Sequence, residues 1–201
     1  MKNAHFKPYV GKNYQQGFEG KKILVLGESH YGGAENSDFV NGLVSDFLDY
    51  KRGEKSKFKR WMNTYTKFTN VLFGEKISND DMVVFWESIA FYNYVQTSIE
   101  NARKSPTGEE FSNSEVAFFE VLAELKPDLV IAWGDRLFSK MPTNGKWSEK
   151  TLLDGSMGKV YLYTINEKDI PTFAVYHPSS RAFSYDATSY LREFISNFKQ
   201  F

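Results

Sequence analysis

Four short apolar runs constrain this chain more than any other feature: Lys22–Gly27 (KILVLG), Ser88–Val95 (SIAFYNYV), Leu129–Gly134 (LVIAWG) and Thr172–Tyr176 (TFAVY). Each is near-continuously hydrophobic and β-rich, the pattern of a strand covered on both faces in a parallel sheet. Segments of helical character separate them. Phe39, Leu43 and Phe47 recur at four-residue spacing. Ser114 through Leu125 reads as a helix opened by Ser114 and Glu115, with Val116, Phe119, Val121 and Leu122 on its apolar face and Pro127 closing it. The tail Ala187–Phe201 carries Tyr190, Leu191, Phe194, Ile195 and Phe198 at helical spacing, and Lys159–Ile165 adds an extra strand with a turn at Glu167-Lys168-Asp169. Strands alternating with helices predict an α/β fold, three-layer α/β/α with a mostly parallel four- or five-stranded central sheet. A length of 201 residues suits one domain, spanning 1–201, with a core of useful size.

Composition removes several kinds of chemistry. The chain has no cysteine, which excludes disulfides, thiolate metal sites, iron–sulfur clusters and cysteine nucleophiles. Its only histidines are His5, His30 and His177, too few for a histidine-rich metal cluster, and no cofactor is expected. No stretch of about 18 apolar residues predicts a membrane span, and the first residues lack the apolar core of a secretory signal, so residence in the cytoplasm is expected. The formal net charge is zero, so contact with DNA would need a local basic patch. Lys51–Arg60 (KRGEKSKFKR), with Glu54 as its one acid, reads either as a solvated loop or as a loop that contacts phosphates.

Ligands of open α/β sheets bind in the crevice beyond the carboxyl ends of the strands. The first run leads into Gly27-Glu28-Ser29-His30-Tyr31-Gly32-Gly33, the second contains Asn93, the third leads into Gly134-Asp135-Arg136, and the fourth into His177-Pro178-Ser179-Ser180-Arg181. Two histidines and a carboxylate therefore fall on one rim. Glu28 can orient or deprotonate a water, His30 can do so or stabilise negative charge, and the glycines let backbone approach a ligand. The bland alternative is a tight turn with Glu28 capping nearby amides. Pro178 biases His177 toward an extended conformation, and Ser179, Ser180 and Arg181 suit a phosphate or carbonyl. An asparagine at position 93 among Phe, Tyr and Val needs a partner: neighbouring backbone, or the amide edge of a ligand.

The order of these pieces resembles the uracil-DNA glycosylase superfamily. GESHYGG at Gly27–Gly33 is similar to that family's first motif, FYNYVQ at Phe91–Gln96 to its Asn-bearing strand, KPDLVIAWG at Lys126–Gly134 to a later strand, and HPSSRAF at His177–Phe183 to its late His-Pro-Ser motif. The resemblance covers about Lys21–Ser184. It implies a parallel sheet with helices on both faces and hydrolysis of the N-glycosidic bond of uracil or a related base flipped out of DNA. By resemblance, Glu28 positions the attacking water, Tyr31 sits where some members block a thymine methyl, Asn93 reads the pyrimidine edge, His177 hydrogen-bonds the base carbonyl, and Ser179 and Ser180 hold phosphates. Gly27, Ser29 and Arg181 complete the expected binding set. The chain departs from the family in having Ser29-His30 where a proline is usual, and Ser180-Arg181-Ala182-Phe183 in place of small apolar wedge residues, with Phe183 the candidate wedge.

Two other readings fit parts of the pattern. One is a member of the same fold that binds a nucleobase or nucleic acid without turnover. The other is a GDS-type esterase with Ser29 as nucleophile, although its DxxH element is missing, since Asp169 does not stand at that spacing from His177.

Overall fold

The computed structural model describes residues 1–32, 36–55, 57–101, 104–151 and 157–197. Gly33, Ser56 and the last tail positions, Phe198 among them, lie outside the described residues. Among the described residues nine strands occur, in chain order: β1 (Tyr9–Val10), β2 (Ile23–Gly27), β3 (His30–Tyr31), β4 (Ala90–Asn93), β5 (Ser98–Ile99), β6 (Leu129–Trp133), β7 (Lys146–Thr151), β8 (Met157–Ile165) and β9 (Lys168–Val175). Seven α-helices accompany them: α1 (Phe39–Arg52), α2 (Met62–Phe73), α3 (Asn79–Glu87), α4 (Gly108–Asn113), α5 (Glu115–Leu125), α6 (Asp135–Lys140) and α7 (Ser189–Asn197).

The main sheet has seven strands in the order β1-β4-β2-β6-β9-β8-β7. Its centre, β4-β2-β6-β9, is parallel throughout and comprises the four apolar runs. The sheet exceeds the expected four or five strands because antiparallel strands extend both edges. Two-residue β1 is too short to leave a pattern, and β7 (KWSEKT) carries no apolar run. The turn falls at Asn166-Glu167, both at positive φ, so Lys168 and Asp169 already belong to β9. Two left-handed residues in a two-residue connection are what a tight hairpin requires.

Buried strands of this kind must satisfy two cores at once. Ile23 and Val25 of β2 face one cluster with α1, α2, α3 and α7, whereas Leu24 and Leu26 face the other with α4, α5 and α6. Ile131 and Trp133 of β6 follow the first set, Val130 and Ala132 the second. The chain steps from β2 to β4 in one direction and from β4 to β6 in the other. Crossovers of a single hand then place their helices on opposite faces, which produces the three layers.

Two helices differ in detail from their sequence reading. Ser114 makes no side-chain cap; its hydroxyl donates to the Glu110 carbonyl and accepts from the Gln96 amide, joining α4, α5 and the segment after β4. The buried face of α5 is Ala117, Phe118, Val121, Leu122 and Leu125, leaving Val116 exposed. In α1 the core face is Val40, Val44, Phe47 and Leu48, so Phe39 and Leu43 are turned to another use. Among the described residues no helix is long and apolar enough to cross a membrane.

Candidate active site

The site begins at the end of β2. Gly27 pairs in register with Asn93 of β4, and a Cβ on Gly27 would collide with the Asn93 carboxamide oxygen. Glycine is therefore what allows the asparagine to sit there. The chain then leaves the main sheet, and His30 and Tyr31 form β3, a short parallel pair with Ser98 and Ile99 of β5. His30 is only 1% exposed, packed between the rings of Phe6 (centroids 4.2 Å apart) and Phe39 (5.2 Å). Its Nδ1 lies 2.9 Å from Nδ2 of Asn93. An amide nitrogen can only donate, so Nδ1 accepts and the imidazole proton resides on Nε2. Burial, helped by the charge of His5, pushes the His30 pKa down to about 4. At neutral pH His30 is an uncharged donor.

His177 follows β9 and reaches the same end state by other means. The backbone N–H of Ser179 donates to its Nδ1 (3.2 Å), and the Ser179 hydroxyl lies 2.7 Å from the same atom. Nδ1 is again an acceptor, and the proton again falls on Nε2. Burial lowers the His177 pKa, opposed by the nearby Glu28 carboxylate and assisted by Arg136. Gly134, at φ 102°, brings the turn after β6 against this histidine and donates its N–H to the Val175 carbonyl at 2.7 Å. That backbone conformation favours glycine.

Glu28 is held from the first turn of α6, the helix that follows β6. Arg136 grips both carboxylate oxygens, Nε to Oε2 at 2.7 Å and Nη2 to Oε1, and its Nη1 reaches the Ser105 hydroxyl. Fork-to-fork pairing fixes orientation as well as charge. The pair spans the gap between β2 and β6, adjacent strands whose following helices lie on opposite faces of the sheet. Such a crevice is where open α/β sheets take their ligands.

These groups surround one cavity of about 430 Å³, within the usual range for small-molecule sites. Gly27, Glu28, Ser29, His30, Tyr31, Asn93 and His177 all line it, so segments distant in sequence do gather at one place. Its walls are aromatic: Trp61 and Tyr65 from the α2 region, Phe91 of β4 and Trp133 of β6, with Phe39 and Leu43 of α1. None of these walls was picked out from the sequence, because α2 follows no conspicuous apolar run and Trp133 reads as one more buried strand residue. A second groove, lined by Arg60, Lys67 and Ser179, adjoins the cavity and shares Trp61 and Thr64 with it.

The remaining expected residues fall outside the cavity. Ser180 closes a turn onto the His177 carbonyl and receives the Lys67 ammonium on its own carbonyl, while Arg181 is exposed beyond it. Phe183 is 2% exposed and stacked near Phe68, a core residue that cannot act as a wedge. Three of the six cations in the basic stretch are also already engaged by carboxylates. Arg52 pairs with Glu87 and Asp49, Lys55 with Asp46 and Asp49, and Lys59 with Asp46. Among the described residues, no group of three or more His, Asp or Glu is placed to hold a metal ion.

No protein-family model matches the chain, and no curated protein is significantly similar to it.

Proposed function

We propose that this protein is a hydrolase of the uracil-DNA glycosylase type, which takes a base flipped out of DNA into the aromatic cavity and cleaves its N-glycosidic bond. The observation that carries this reading is the convergence of Glu28, Asn93 and His177, from three different strand ends, on one ring-walled cavity. Flat aromatic walls suit a heterocycle, which they can stack or meet edge-on.

Each group has a task in this scheme. Glu28, held by Arg136, keeps free lone pairs with which to orient a water toward C1′ of the sugar. The bond from C1′ to the base nitrogen breaks with its electron pair going to the base, the water oxygen bonds to C1′, and the proton that the water loses passes through solvent to the base, leaving free base and an abasic sugar. His177 Nε2–H donates to the base carbonyl on which negative charge grows; a fixed neutral donor needs little reorganisation as that charge develops. The adjoining groove, with Arg60, Lys67 and Ser179, supplies cationic and hydroxyl contacts for the phosphates on either side of the flipped nucleotide.

A second reading is also favoured by a specific contact: both oxygens of Glu28 already accept from Arg136, which suits a protein that binds a nucleobase without turnover. The esterase reading is poorly supported. Ser29 Oγ is buried with no protein partner, and the Nδ1 of His177 is committed to Ser179. Two assays separate the three. Labelled oligonucleotides carrying uracil, hypoxanthine or a mismatch are incubated with the protein and heated with alkali. Strand cleavage at the lesion supports the glycosylase; retention on DNA with no cleavage for any lesion rejects it in favour of binding alone. Labelling of Ser29 by a fluorophosphonate would point to the esterase instead.

A further inference from the structure

The pair formed by Glu28 and Arg136 is lopsided. The Glu28 side chain is 11% exposed and that of Arg136 52%, so the guanidinium covers the carboxylate from the solvent side. Arg136 is anchored at three nitrogens, Nε and Nη2 on the two oxygens of Glu28 and Nη1 on the Ser105 hydroxyl. His177 stands beside this pair. Gly134, two residues before Arg136, keeps the start of α6 close to it: a Cβ on Gly134 would lie 3.5 Å from the His177 Cβ. The charges that act on His177 are those of Glu28 and Arg136, with opposite effect. The Trp133 ring, 6.1 Å away, and the Ser179 hydroxyl, 2.7 Å away, carry no charge. A lone carboxylate beside an imidazole favours the imidazolium. An imidazolium at position 177 would compete for Glu28 and draw that carboxylate away from water. A guanidinium keeps its proton throughout the range in which histidine titrates, so Arg136 answers the carboxylate at every such pH.

We propose that Arg136 is a positioning residue of this site: it fixes the Glu28 carboxylate and supplies its counter-charge, so that His177 stays an uncharged donor. The inference rests on the reading of Glu28 and His177 as the groups that carry hydrolysis. It makes the contact that also suits a non-catalytic protein part of the machinery. Charge and fork contribute separately. Opposite charges in contact largely cancel at a third group, which shields the histidine from the carboxylate. The planar fork sets direction, since two parallel N–H groups hold the carboxylate in one plane and leave a lone pair on each oxygen facing away from Arg136. Lysine at position 136 would supply the charge without the fork, and glutamine would supply no charge.

The test uses the full chain with ¹⁵N-labelled histidine, titrated between about pH 4 and pH 8 as the natural protein and as Arg136→Gln, Arg136→Lys and Glu28→Gln. Arg136→Gln should move the His177 midpoint to higher pH, Arg136→Lys should return it toward the natural position, and Glu28→Gln should lower it. His30, whose protonation is set by burial and His5, is the control and should not move. Single-turnover excision at neutral pH should fall by about 10²-fold in Arg136→Gln with little change in affinity for DNA. Its acid limb should shift to higher pH, because the neutral imidazole is lost sooner as pH falls. Arg136→Lys should lose about tenfold in rate and keep the limb in its natural place. A His177 midpoint unmoved or lowered by Arg136→Gln overturns the proposal, and so does a lysine variant that titrates like the glutamine one. If Arg136→Gln does not fold, Glu28→Gln decides: an unmoved His177 midpoint there means that no counter-charge is needed, and the proposal fails. The expected titrations without excision from any DNA would uphold the part given to Arg136 and remove only the glycosylase activity. Excision by Arg136→Gln at the natural rate and pH profile would keep that activity and overturn the proposal.

Discussion

The cavity at the strand ends and the hairpin β7–β8 at the far edge of the sheet are both rich in aromatic rings, yet they treat polar atoms in opposite ways. In the hairpin, Tyr161 packs 5.1 Å from Tyr163 and 5.2 Å from Trp147. Its hydroxyl accepts from the Gly145 amide at 2.8 Å, and the Tyr163 hydroxyl donates to the Pro142 carbonyl at 2.8 Å. Ring packing there is matched by polar pairing, as expected of a structural cluster. Around the cavity the rings are as closely packed, Trp133 lying 5.2 Å from Phe91 and 5.7 Å from Tyr65, but the Trp133 N–H meets no protein acceptor. The contrast teaches that aromatic density alone does not mark a site. Aromatic density with unmatched polar atoms does.

The largest effects should break the two regions apart by activity. If excision occurs, Glu28→Gln and His177→Ala should each lower its single-turnover rate by about 10²–10⁴-fold with little change in melting temperature. Tyr161→Phe and Tyr163→Phe should leave that rate within about twofold while each costs about 1 kcal/mol of stability. Equal rates in all four variants would dissolve the distinction. Acid should separate the regions next. The folded pKa of His30, about 4, lies below the unfolded value near 6.5, so between those limits the unfolded chain binds more protons. Stability should therefore be full above about pH 6.5 and fall as pH drops toward 4, by about 3 kcal/mol at pH 4. Urea titrations at pH 7 and pH 4 check this, and His30→Phe should flatten most of the dependence. The hairpin has no histidine and contributes no such step.

The same contrast explains what could be read in the sequence. The parallel centre was legible because strands buried on both faces must be continuously apolar, and Ile23–Leu26 and Leu129–Ala132 are apolar at every position. The rim was legible because strand ends are where such folds place ligands, and Glu28, His30, Asn93 and His177 do meet there. Partnership was not legible. Nothing in the order of residues says that Arg136, more than a hundred positions away, takes both oxygens of Glu28, or that Asn93 is spent on His30. Nor does spacing reveal which tryptophan finds an acceptor. Those outcomes depend on side-chain angles set by the packed core, which one-dimensional patterns do not encode.

Trp86 and Trp133 sharpen the comparison within a single cluster. Their rings are 6.4 Å apart, and both are buried. Trp86 Nε1 donates to Thr69 Oγ1 at 2.8 Å, which in turn donates to the Tyr65 carbonyl at 3.0 Å. Replacement by phenylalanine removes similar ring volume at either position, but it breaks a made bond at 86 and removes an unmade one at 133. Trp86→Phe should cost about 1–2 kcal/mol more than Trp133→Phe in denaturant unfolding. Equal costs would mean that Trp133 finds a partner in solution.

The smallest effects concern surface charge. Lys59 and Arg60 are neighbours in one basic stretch, but the Lys59 ammonium lies 2.6 Å from Asp46, whereas Arg60 lines the groove beside the cavity with Lys67 and Ser179. A cation already paired releases few counterions when DNA arrives, whereas an open one facing a phosphate releases about one. Arg60→Ala should therefore weaken binding of DNA of any sequence and reduce the slope of log K against log salt by about 1. Lys59→Ala should change that slope by less than about half as much. Binding isotherms at several salt concentrations measure both. If Lys59→Ala proved the larger, DNA would track the outer face of α1, and the groove next to the cavity would lose its claim to the phosphates.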